Sequence, residues 1–329
     1  MTEPTREPER RFRLGKRHPA EREALAEADE RSGGADGNVP ENTRPDLGPP
    51  APGVQPVEQP GSGLGIIVSV AVTAVVFILA IYATGQPTPN RIPLLQTTNP
   101  LFWIVAALAV LAAGAGSEYA ERTASRQLAT YGRGRPEGAP ATSWIVPSIA
   151  TLAAIMLVAT YHNAVMLVVG PLIAFFGSFG ALLARDLIDD ASDNALRSAA
   201  TIHTVVVLAI AFLAFSAVYL NKMPTPITSL LVGLIGGLLM LETFERSEAP
   251  TGQRVLYSLI VGIVLAQAAA ALMWWPTHGW TGGAVLLVCF YLASGIVLSF
   301  VRHGWVRTRD MLEFGAVSLV ALIFLAVTA

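Results

Sequence analysis

From Leu64 onward, the chain is a series of apolar stretches separated by short polar segments. Most stretches are about twenty residues long, the length that a helix needs to cross a hydrocarbon core of roughly 30 Å. The pattern therefore predicts an all-α integral membrane protein, a polytopic bundle of about nine transmembrane helices. The predicted spans are 64–83, 100–117, 143–161, 164–184, 199–220, 227–241, 255–275, 284–301 and 311–328. The sixth of these is the shortest.

The first 62 residues have the opposite character. They are dense in both signs of charge up to Arg31 and rich in Pro, Gly, Asn and Gln afterwards, with few large apolar side chains. Such a segment cannot bury enough surface to offset the entropy of ordering, so we expect a disordered tail over residues 1–62 and a transmembrane domain over 63–329. No cleavable signal peptide is expected, because the first apolar stretch follows this long polar segment.

Composition supports the assignment to a membrane. The chain is 53% hydrophobic and 14% charged, whereas soluble domains carry about a quarter charged residues. We therefore expect the lipid bilayer as a partner, and no nucleic acid. The single cysteine, Cys289, excludes an intrachain disulfide and a thiolate metal site.

The distribution of basic residues predicts an orientation. With the N-terminus inside, the tail and the segments after spans two, four, six and eight hold 20 of the 22 Lys and Arg residues, and only Arg91 and Lys222 fall outside. This is the bias of the positive-inside rule. We expect a multi-pass protein of the plasma membrane with a cytoplasmic N-terminus and an external C-terminus, and with Trp274, Trp275 and Trp280 at the outer boundary.

Few polar side chains interrupt the spans. Gly233 and Gly237 form a GxxxG pair in span six, which predicts close helix packing. His203 and Gln267 lie within spans five and seven, and we expect each to be a hydrogen-bond partner between helices, not a ligand or a proton relay.

Three aspartates between spans four and five are the strongest candidates for chemistry. Asp186, Asp189 and Asp193 are spaced i, i+3 and i+7, which would line one side of a helix with carboxylates. Carboxylate oxygens are ligands that Mg²⁺ prefers, and a bound Mg²⁺ can hold a diphosphate. These residues are therefore the candidate metal ligands, and no cofactor is predicted unless the chain is a Mg²⁺-dependent enzyme.

This DxxDxxxD spacing resembles the aspartate-rich motif of the UbiA-type prenyltransferases, helical membrane enzymes with metal-diphosphate sites at the cytoplasmic face. The resemblance implies that Asp186, Asp189 and Asp193 bind Mg²⁺ and that Arg197 steadies the diphosphate. In this chain the motif follows span four, whereas that family has it after span two. The alternative interpretation is a solvated acidic loop in which Asp193 or Asn194 caps span five.

Three hypotheses for function remain open at this point. Two histidines in outer turns, His162 and His278, make a poor metal site without a third ligand, and no catalytic residue or further cofactor is predicted. The first hypothesis is a non-catalytic membrane scaffold or accessory component that contacts a cytoplasmic or membrane protein partner on its cytoplasmic side. The second is a Mg²⁺-dependent enzyme that processes a lipid or prenyl diphosphate at the aspartates. The third is a facilitator of an apolar or lipidic solute, with a cavity between spans four, six and seven.

Overall fold

The described part of the chain consists of nine α-helices joined by short connections. A computed structural model describes residues 60–87, 99–130, 141–189, 193–244, 249–275, 279–306 and 308–328, without the side chains of 60–62, 125–130, 184–189, 193–200, 302, 303 and 328. The helices are α1 Pro60–Thr84, α2 Pro100–Thr130, α3 Ile145–Thr160, α4 Ala164–Asp189, α5 Asp193–Leu220, α6 Thr225–Thr243, α7 Thr251–Leu272, α8 Gly279–His303 and α9 Thr308–Thr328. The predicted all-α transmembrane class is confirmed.

Each predicted span coincides with one helix, but the shortest helix is not the expected one. Eight of the nine helices in the described part of the chain are long and apolar enough to cross a membrane, and α6 is among them. The shortest is α3, with 16 residues, or roughly 24 Å at 1.5 Å per residue. The prediction that span six is the shortest was therefore wrong.

The short helix α3 lies at the centre of the bundle. It packs against α1, α2, α4, α5 and α6, and all its residues except Leu152 and Thr160 are buried. Because other helices surround it, α3 does not need to match the thickness of the lipid. Its side chains belong to two apolar clusters, one built with α1, α2 and α4, the other with α4 to α8.

Several helices extend beyond the predicted spans. Helix α2 continues to Thr130, and Arg122 forms an ion pair with Glu118 one turn earlier, at 2.7 Å. Helix α1 begins at Pro60, so the last three residues of the predicted tail are helical. The rest of the tail, residues 1–59, lies outside the described part of the chain.

Helices α6 and α7 approach each other through glycine backbone. A Cβ added at Gly233 would lie 2.8 Å from the carbonyl oxygen of Gly262, and one added at Gly237 would lie 3.2 Å from that of Ser258. Ser258, Gly262 and Ala266 recur every fourth residue of α7 and face the GxxxG pair of α6. The predicted close packing is confirmed, with small residues on both helices.

Side-chain bonds identify the two ends of the bundle. Trp280 Nε1 donates to Tyr161 Oη at 2.9 Å, and Tyr219 Oη donates to the Leu272 carbonyl at 3.1 Å. The C-terminal ends of α3, α5 and α7 therefore lie together with the start of α8. We call this the aromatic end, defined by Tyr161, Tyr219, Trp275 and Trp280. The opposite end is the charged end, defined by Glu118, Arg122, His203, Glu242, Arg254 and Asp310.

The substitution Gly233→Ala tests the contact between α6 and α7. The new methyl group meets backbone that cannot rotate away, so we expect the free energy of unfolding to fall by about 1–3 kcal/mol, measured by thermal unfolding in detergent. Gly180→Ala in α4 is the matched control, because its Cβ would meet nothing closer than Val206 at 3.9 Å. Equal losses in the two variants would contradict the role assigned to Gly233.

Candidate functional site: a buried histidine and glutamate at the charged end

A histidine and a glutamate form a buried pair between α5 and α6. His203 Nε2 lies 3.3 Å from Glu242 Oε1, and the two side chains are 8% and 1% exposed. When Nε2 of His203 carries a proton, it donates that proton to Glu242 Oε1 in a hydrogen bond. The prediction that His203 bonds to a neighbouring helix is confirmed.

The hairpin of α5 and α6 brings these two residues together. A tight turn joins the helices at the aromatic end, and Lys222 adopts a positive φ of 40° within it. Helix α5 ends at Leu220 and helix α6 begins at Thr225. The number of residues between His203 and the end of α5 equals the number between the start of α6 and Glu242. The two residues are therefore at the same depth, and this equal spacing is the sequence signal that could have paired them.

Burial makes each member of the pair depend on the other. An ionised side chain taken out of water is costly unless a partner compensates it. The pair holds α5 to α6 at the charged end. Two such groups are too few for a metal site, and in the part of the chain with described side chains no cluster of three or more His, Cys, Asp or Glu residues could hold a metal ion.

Two further carboxylates at the charged end bond to serines of neighbouring segments. Ser143 Oγ donates to Glu118 Oε2 at 2.5 Å, which joins α2 to the turn before α3. Ser299 Oγ donates to Asp310 Oδ2 at 2.5 Å, which joins α8 to α9. Hydrogen bonds to ionised carboxylates are among the strongest in proteins. The sequence analysis predicted neither hydrogen bond, because nothing in the local sequence around Ser143 or Ser299 indicates a partner on another segment.

The aspartate motif spans two helices. Asp186 and Asp189 belong to the last turn of α4, whereas Asp193 is the first residue of α5. The expectation that all three line one side of a single helix was therefore wrong. Their side chains, and those of Asn194 and Arg197, lie outside the described residues, so the Mg²⁺ site stays a prediction.

The remaining polar candidates with described positions, His162 and Gln267, lie in separate parts of the bundle. His162 lies in the turn between α3 and α4, and neither ring nitrogen has a hydrogen-bond partner within the described structure. His278 lies outside it. Gln267 is exposed on α7, contrary to the expectation of a bond to a neighbouring helix.

The helices of the facilitator hypothesis do not pack as a group. Helix α4 packs mainly against α1, α3 and α5, whereas α6 packs mainly against α5 and α7. Helices α3 and α5 therefore lie between α4 and the α6–α7 pair. The expected cavity between spans four, six and seven has no support from this arrangement.

Residues 87–328 match DUF5656, a family described as "Protein of unknown function (DUF5656)". The chain belongs to the DUF5656 family. No curated protein and no solved structure matches the chain. In this DUF5656 protein the matched residues contain α2 to α9 whole, and with them every residue that defines the charged end, whereas α1 precedes them.

A double-mutant cycle on the buried pair tests its role in the DUF5656 fold. His203→Ala and Glu242→Ala each leave a buried polar partner, so each should lower the free energy of unfolding by about 1–3 kcal/mol. The double variant should lose less than the sum, by roughly 0.5–3 kcal/mol. Thermal unfolding in detergent measures all three. Glu313→Ala, at an exposed acidic residue of α9, should change little, and strict additivity of the two losses would contradict the pairing.

A Mg²⁺ titration separates the two interpretations of the aspartate motif. If Asp186 and Asp189 bind the ion, Mg²⁺ raises the unfolding temperature of the unsubstituted DUF5656 chain, since a ligand that binds the folded state stabilises it. Asp186→Asn with Asp189→Asn then removes this shift. If the motif is only a solvated acidic loop, millimolar Mg²⁺ leaves both unfolding temperatures unchanged.

Proposed function

We propose that this DUF5656 protein is a non-catalytic membrane scaffold or accessory component that contacts its partner on the cytoplasmic side. The observation that carries the proposal is the segregation of charge along the bundle. Among the charged side chains that the structure describes, only Lys222 lies at the aromatic end. The others lie at the charged end: Glu118, Glu121, Arg122, Glu242, Arg254, Arg309, Asp310 and Glu313.

This segregation supports a cytoplasmic location for the charged end. Basic residues are retained on the inside of membranes, and tryptophans concentrate where lipid meets water. Trp274 and Trp275 are exposed at the aromatic end, which suits the outer interface. In this orientation the N-terminus is inside, the C-terminus is outside, and the protein is a multi-pass protein of the plasma membrane.

The bonds at the charged end favour a binding platform over a reactive centre. Glu242 is paired with His203, Glu118 with Ser143, and Asp310 with Ser299. Each bond joins two neighbouring segments of the bundle and engages a carboxylate that could otherwise act in catalysis. A platform with fixed helix ends lets a partner bind without first ordering the surface it contacts.

The two lysines of the chain test both the orientation and the partner. Lys16 belongs to the predicted tail, and Lys222 lies in the turn between α5 and α6. A membrane-impermeant amine reagent should label Lys222 in intact cells and Lys16 only after permeabilisation. Lys222→Arg and Lys16→Arg are the matched controls that assign each label. Labelling of Lys16 in intact cells would reverse the proposed orientation.

The same lysines locate the interaction surface. A membrane-permeant amine crosslinker applied to intact cells, followed by affinity purification of the full chain, should capture a protein partner. Mass spectrometry of the adduct should place the link at Lys16, and Lys16→Arg should reduce the yield several-fold while Lys222→Arg leaves it unchanged. No capture above background, or links at Lys222 alone, would overturn the proposed cytoplasmic interaction surface.

A further inference from the structure

A polar side chain lies on the outward-facing side of α7. Gln267 is exposed, and within the described part of the chain its amide has no hydrogen-bond partner. Its neighbours one turn earlier on this face are apolar, with Ile263 and Val264 both exposed. The amide therefore interrupts a surface that otherwise suits lipid.

The position of Gln267 along α7 places its amide in the hydrocarbon. Trp274, at the aromatic end, is 89% exposed and marks the interface. Gln267 precedes it by about two helical turns, or roughly 10 Å. Side chains of a helix lean toward its N-terminus, so this amide leans toward the bilayer centre and away from the nearer interface. An unpaired amide at that depth is costly.

Apolar residues continue this face as a regular seam. Successive residues of the seam are separated alternately by four and by three positions. The residues of the seam are Leu256, Ile260, Ile263, Gln267, Ala270 and Trp274. A repeat of 3.5 residues is the pattern of two helices that pack along a left-handed seam. A polar residue at one core position of such a seam sets its register. The opposite side of α7 is already occupied by α6, through Gly262.

We propose that a second copy of this chain covers the face, with α7 packed against α7 and the two Gln267 side chains hydrogen-bonded to each other. An amide carries both donors and an acceptor, so two of them complement each other. Two copies in one membrane have the same orientation, so a two-fold axis along the membrane normal relates them. A residue close to this axis contacts the same residue of the second copy. A second copy thus supplies the missing partner for Gln267 at the same depth.

Disulfide crosslinking of the full chain in native membranes tests this dimer, with Cys289→Ser as the background. Ile260→Cys lies on the seam two turns from Gln267. Leu259→Cys is the matched control, because it lies at the same depth but about 100° around the helix and is more exposed, at 58% against 42%. Ile260→Cys should form an adduct of twice the chain mass, several-fold faster than Leu259→Cys.

A second substitution tests the amide itself. Gln267→Leu in the Ile260→Cys chain should lower the crosslinking yield roughly threefold to thirtyfold, the range expected for one hydrogen bond between transmembrane helices. Three results would each overturn the proposal. They are equal crosslinking at Ile260 and Leu259, an adduct whose mass shows a different protein, and an unchanged yield after Gln267→Leu.

Discussion

The absence of water inside the bilayer is the constraint on which the rest of this structure depends. A polar group in hydrocarbon has no solvent to bond, so it must find a partner in protein. Some serine and threonine side chains in the helices satisfy this need locally. Ser69 and Thr151, for example, donate to carbonyl oxygens four residues earlier. His203 and Glu242 satisfy it across helices, and Gln267 finds no partner in the described chain.

The same environment explains how the helices hold together. Lipid tails are as apolar as leucine side chains, so helices gain little by hiding apolar surface from lipid and depend on close contact instead. Helices α6 and α7 meet through Gly233 and Gly262 with no side chain between them. Helix α3 gains such contact from five neighbours at once, which makes it the centre of the bundle although it is the shortest helix.

The division of the bundle into two ends connects this packing to the proposed role. At the charged end, Glu118 and Asp310 accept hydrogen bonds from serines, and Glu242 is paired with His203. These bonds join neighbouring segments of the bundle close to the charged loops. The aromatic end has tryptophans and one described charge, Lys222, and suits an interface with lipid headgroups. A dimer through α7 would place two charged ends side by side in the same membrane and present a partner with a doubled surface.

The sequence by itself determined the class of protein, and the number and approximate bounds of the helices that the structure describes. Span length and the lack of charge are local properties, and the bilayer requires them of every crossing helix. Close packing at Gly233 and Gly237 was also predictable from local sequence, because only small residues let two helix backbones approach closely. The division of the aspartate motif between α4 and α5 was not predictable, because the i, i+3, i+7 spacing is the same whether one helix or two carry the residues.

Only the tertiary structure decided which residues meet. Helices of nearly uniform apolarity do not reveal which side each turns toward its neighbours, so the sequence could not place α3 at the centre or turn Gln267 outward. His203 and Glu242 are 39 residues apart, and their pairing depends on how α5 and α6 rotate as they pack. That rotation follows from the fit of side chains across all neighbouring helices, and no single span contains this information.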